Sequence, residues 1–120
     1  MMPGAIFIDA TARTITRVEI AHGSAGLSDL HRLLGGYIEG AFHWPDGETL
    51  YVDEEGFLKA PTVGFRFALR AAGGQDLAGN GVVVGREIEG EQYPGGYTNL
   101  DPRVTIEALR RLVLFGRFDA

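Results

Sequence analysis

Hydrophobic and polar residues alternate, break and alternate again between positions 35 and 61, GGYIEGAFHWPDGETLYVDEEGFLKAP. Tyr37, Glu39, Ala41 and His43 fall on one side of an extended strand, and Ile38, Phe42 and Trp44 on the other, the period of two of a half-buried strand. Trp44-Pro45-Asp46-Gly47 reads as a tight reversal: Pro45 presets φ at the first corner and Gly47 accepts a positive φ. A second strand over 49–53 places Leu50 and Val52 on one face. Glu54-Glu55-Gly56 turns the chain again, and Phe57-Leu58 opens a third strand. The pattern predicts a β-meander as the core of the molecule.

Around this ribbon the rest of the chain falls into short elements. An apolar run over 5–9 and an alternating run over 15–21 predict two antiparallel strands joined by a turn. Leu27, Leu30, Leu33 and Leu34 recur at helical spacing, with Ser28 as a cap and Gly35 as a left-handed stop, predicting a short helix near 28–34. Phe65, Phe67 and Leu69 alternate with Arg66, Ala68 and Arg70 as in a strand. Gly81-Val82-Val83-Val84-Gly85 lacks alternation and predicts a strand buried on both faces. The segment 86–92 reads as a solvated edge or loop, and Tyr93-Pro94-Gly95-Gly96-Tyr97 as a turn. Asp101-Pro102 has the form of a helix start, and the apolar periodicity that follows predicts a C-terminal helix near 102–114, ended by Gly116. The expected architecture is α+β: a mostly antiparallel sheet of about five to seven strands with two helices, in a single domain over 1–120.

Composition narrows the function classes. The 120 residues include 18 glycines, which suits many turns and short strands. The net charge of −5 disfavours a generic nucleic-acid or anionic-membrane surface, because phosphate binding needs clustered Lys and Arg. The absence of cysteine excludes disulfides, thiolate catalysis and Cys-ligated zinc. The first 13 residues have no export signal and no segment is apolar enough for a membrane span, so a cytoplasmic protein is expected.

Three constellations carry candidate chemistry. Glu39, Asp53, Glu54 and Glu55, with Asp46 and Glu48, make the meander acidic and suggest an electrostatic face for a basic protein partner. Trp44, Tyr93 and Tyr97 with Arg66 and Arg70 have the residue types of an alternative site, a stacking platform for a nucleotide or other small ligand. His43 shares a predicted strand face with Glu39, so a small hydrolase using His43 with Glu39 or Asp53 is a further alternative. The histidine spacings match no metal motif, and no metal or cofactor is expected. Gly79 to Gly85 is no phosphate loop, since its glycines precede a strand rather than join one to a helix.

GGYIE at 35–39, LYVDEEGFLK at 50–59, a following proline, an Arg-bearing segment and the GVVVG strand at 81–85 resemble, in that order, a small uncharacterised family, domain of unknown function 3846. The likeness spans 6–85. Members carry a segment of the form LPxNxRAT after the VDEEG strand; the present chain reads APTVGFRFA at 60–68, so Pro61 and Arg66 correspond and the asparagine is missing. The resemblance implies a setting on phage, prophage or plasmid genomes and no mechanism. With the acidic meander, it leads to the expectation of a small, non-enzymatic accessory protein that binds a host or mobile-element protein, possible roles being host takeover or counter-defence.

Overall fold

The computed structural model describes residues 4–21, 24–55, 65–69, 76–89, 97–99 and 101–117. Its centre is a five-stranded, wholly antiparallel sheet in the order β2-β1-β7-β4-β3. The strands are β1 (Gly4–Asp9), β2 (Thr14–Glu19), β3 (Ile38–His43), β4 (Thr49–Asp53) and β7 (Gly81–Val84). A second sheet, in the order β10-β5-β6, is built from β5 (Phe65–Leu69), β6 (Asp76–Ala78) and β10 (Val113–Arg117). β8 (Glu87–Glu89) and β9 (Tyr97–Asn99) pair as a separate ribbon. The molecule is α+β with the antiparallel sheet dominant, as the residue pattern predicts.

β7 explains the uniform valine run. It lies between β1 and β4, and all of Gly81 to Gly85 is buried. Val83, with Ile6 and Leu50 as its register partners, joins one core, which also holds Ile8, Val52, Phe67, Leu109 and Val113. Val82 and Val84 turn to the opposite face, where they meet Ala5, Ile20, Leu30 and Leu34 beneath α1 (Ser24–Leu34). Gly81 is required by close approach. A β-carbon there would lie 2.7 Å from Cζ of Phe67 and 2.9 Å from Cδ1 of Leu50, so the ring of β5 occupies the space that the glycine leaves.

The hairpin at the heart of the predicted meander forms, with one change of great consequence. Gly47 takes φ 95° and its N–H donates to the Trp44 carbonyl at 3.0 Å, closing the Pro45-Asp46 turn. The ladder of β3 and β4, however, shifts register between Gly40 and Phe42, so Ala41 is an inserted residue. Simple alternation puts Ile38 and Phe42 on one face. The bulge instead sends Ile38 to the core under α1 and Phe42 to the core shared with Phe67. The other side of β4 is taken by β7, and the predicted third meander strand at Phe57-Leu58 lies outside the described residues.

Both helices exist, with ends that differ from expectation. α1 begins at Ser24 rather than near Ser28 and stops where the glycine predicts: Gly35 takes φ 86° and donates to the His31 carbonyl at 2.8 Å. Leu30 and Leu34 are buried, whereas Leu27 is 47% exposed. The C-terminal helix, α2 (Ile106–Leu112), is much shorter than 102–114. Asp101 does not cap it, because its carboxylate accepts from the Gly4 N–H at 2.6 Å and faces Arg17 at 3.6 Å. Thr105 caps instead, its hydroxyl oxygen accepting from the Ala108 N–H at 3.1 Å. Beyond Leu112 the chain leaves the helix for β10, whose pairing with β5 overrides the helical periodicity of the sequence.

Candidate binding surfaces

The acidic residues of the hairpin divide into two groups with different work. Asp53 is buried at 8% exposure, and its carboxylate accepts the Glu55 N–H at 2.9 Å, so it holds the turn from within. Glu48 is buried at 3% and accepts from the Val104 N–H at 2.8 Å, tying the hairpin to the segment that leads into α2. Glu39, Glu54 and Glu55 are exposed. Among the described residues the ion pairs are Arg17–Asp101 and Arg32–Asp29, so these three carboxylates are free of a cationic partner there.

Beside them stands the most exposed large apolar side chain of the described residues. Tyr37 is 71% exposed, and its carbonyl accepts the Glu54 N–H at 2.8 Å, which places it against the acidic turn. Its ring meets His31 of α1 edge-on at 5.5 Å, one helical turn beyond the exposed Leu27. β3, which begins at the next residue, is an edge strand of the large sheet and, among the described residues, presents a row of backbone groups with no neighbouring strand. Leu27, His31 and Tyr37 thus form an amphipathic stripe bordered by Glu54 and Glu55, while Glu39, the register partner of Val52, lies on the other face of the same sheet edge. Tyr37 was legible as a strand-face residue, but its role as the protruding centre of this surface was not.

The predicted histidine dyad does not assemble. Glu39 lies opposite Val52 and His43 opposite Thr49; the intervening bulge places the two on different faces of the ribbon. Asp53 is four residues from Thr49 along β4, roughly 13 Å at strand rise. His43 instead shares a 3.0 Å hydrogen bond between its Nδ1 and the Thr49 hydroxyl, and its ring lies over Gly40. Among the described residues no group of three or more His, Asp or Glu is placed to hold a metal ion.

Of the predicted stacking platform, Trp44 is half-buried, edge-on to Phe42 at 4.8 Å, and packed on the Phe67 core. Arg66 and Tyr97 fall on β5 and β9, which belong to different sheets. Arg70 and Tyr93 lie outside the described residues. A small cleft of about 140 Å³ is lined by Asp46, Glu48, Arg86, Asp101 and Arg103, without any described member of that platform. Two of its carboxylates are occupied by the Val104 and Gly4 amides, so it reads as the clasp that holds the C-terminal segment to the sheet.

Among the described residues, Tyr51 carries a phenol in a half-buried environment. Burial, and secondarily the nearby Glu87 carboxylate, raise its phenol above the ordinary value of 10.0. The folded state therefore keeps the proton longer than the unfolded chain does. The contribution is complete below pH 10 and is lost as pH rises through the folded-state value. Tyr51→Phe is expected to flatten the alkaline decline of stability; urea midpoints measured between neutrality and strong alkali, identical in slope for both proteins, would refute this.

The fold is an antiparallel α+β sheet protein whose described residues include no helix long and apolar enough to cross a membrane. The chain belongs to the family described as "Domain of unknown function (DUF3846)", whose model matches residues 2–102. The match extends on both sides of the 6–85 stretch that carries the resemblance and stops before α2 and β10. No curated protein and no solved structure matches the chain.

Proposed function

We propose that the chain acts by binding a protein with a basic surface at the β3 edge, using Tyr37 as anchor and Glu39, Glu54 and Glu55 as the electrostatic rim. The observation that carries this reading is a tyrosine 71% exposed beside carboxylates that have no cationic partner among the described residues. Tyrosine is a favoured interface anchor because it brings a large, rigid area at low entropic cost, and uncompensated like charges speed the approach of an opposite surface. The outer edge of β3, unpaired among the described residues, offers a further recognition mode, addition of a strand from the partner. The mobile-element setting implied by the family resemblance makes the partner a host or mobile-element protein in an accessory, non-catalytic interaction.

Asp53 is excluded from the rim variants because it supports the turn internally. The test is capture of partners from host lysate by the wild-type chain, by Tyr37→Ala and by the triple reversal Glu39→Lys, Glu54→Lys, Glu55→Lys. A basic partner should be retained at low salt, released at high salt, and bound at least about tenfold more weakly by either variant. Capture that is indifferent to salt and to both variants would sink the proposal.

A further inference from the structure

A second concavity, of about 360 Å³, opens at the β2 edge of the large sheet. Four strand spacings separate that edge from β3, roughly 19 Å across the sheet. Arg13 from the β1–β2 turn, Thr14 and Thr16 from β2, and Arg110 from α2 line it, and all four are exposed. Buried Ile15 and half-buried Phe115 supply an apolar lining. Neither Arg13 nor Arg110 forms an ion pair among the described residues. The two positive charges of this cleft are therefore uncompensated in a chain whose net charge is −5.

The backbone at Arg13 points the same way. Asp9 ties the turn by accepting the Thr11 and Ala12 N–H groups, each at 3.0 Å, and Arg13 emerges at φ 58°. Among the described residues it is the non-glycine with a positive φ. The left-handed region favours glycine or asparagine, because a β-carbon crowds the following carbonyl there. An arginine held in that conformation, with its guanidinium at a cleft, has the character of a binding group retained against local strain.

We infer that this cleft binds a small phosphorylated ligand with a flat apolar body, of the nucleoside monophosphate class. Two guanidinium forks match the charge and acceptor geometry of a phosphate dianion better than those of a single carboxylate. Ile15 and Phe115 provide the surface against which a ring can lie. A volume near the lower end of small-molecule sites fits one nucleotide and not two. Carboxylates farther from the cleft than the screening distance of about 8–10 Å are largely screened, so the local arginines decide affinity and added salt weakens it. The inference is independent of the β3 edge.

The test is calorimetric titration of the full chain with AMP, GMP, CMP and UMP, with inorganic phosphate as reference, alongside Arg13→Gly and Arg110→Gln. At least one nucleotide should bind more tightly than phosphate, and each variant should weaken it about tenfold or more. Arg13→Gly should at the same time raise the ligand-free Tm by about 2–5 °C, which separates lost binding from lost folding. The inference is overturned by no binding across the four nucleotides, by phosphate matching the best of them, or by undiminished binding in both variants.

Discussion

Phe67→Ala is expected to cost about 3–5 kcal/mol, a large share of the roughly 5–15 kcal/mol that holds an ordinary domain folded. Phe67 is fully buried in β5, opposite Phe115 on one side and Leu77 on the other, and its ring tip fills the space above Gly81 in the large sheet. Truncation removes most of the side chain that seats the second sheet on the first. The rigid strands around it cannot close the void. A coupling measurement sharpens the test. Gly81→Ala overpacks the wild-type core, because its new methyl group meets the Phe67 ring, but in the Phe67→Ala background that contact is gone. Urea denaturation of the four proteins should give a smaller penalty for Gly81→Ala in the truncated background, by more than about 0.5 kcal/mol. Additive penalties would show that the ring does not sit over Gly81.

This contact illustrates what the chain's pattern discloses and what it conceals. Trp44-Pro45-Asp46-Gly47, the Gly35 helix stop and the buried valine run are legible because each rests on the local preferences of consecutive residues. The bulge at Ala41 is not: a single inserted residue leaves the composition of the strand unchanged while exchanging the faces of everything beyond it. That one residue dissolves the His43–Glu39 pair. β10 is hidden for a different reason, since Val113 to Phe115 extend the apolar period of α2 and turn into a strand only because β5, far away in sequence, offers an edge. The acidic surface was half legible. Exposure of Glu54 and Glu55 follows from a turn tip, whereas burial of Asp53 follows from its bond to the Glu55 amide. The Arg13–Arg110 cleft joins residues from opposite ends of the chain, and the one local sign of it is an arginine where a hairpin turn favours glycine.

Glu48→Ala is expected to destabilise the protein by about 2–3 kcal/mol, although the residue sits in a segment that reads as solvated acidic hairpin. Its carboxylate is buried and takes the Val104 N–H from 56 residues away. A charged acceptor makes the stronger kind of hydrogen bond, and removing it strands the amide of a half-buried residue just before the Thr105 cap. The loss therefore reaches α2, which is too short to hold its shape without tertiary contacts. Glu48→Gln retains an oxygen acceptor and should cost less, about 1 kcal/mol. Two readouts separate this account from a general effect of altering a hairpin. The urea midpoint should order wild type above Glu48→Gln above Glu48→Ala, with an unchanged slope. Hydrogen exchange at the Val104 amide should accelerate in the alanine variant under conditions where the β1–β7 ladder remains protected. Equal stability of all three proteins, or an unaltered Val104 exchange rate, would mean that the hairpin and the C-terminal segment are not joined through Glu48, and that the clasp at the charged cleft holds by other contacts.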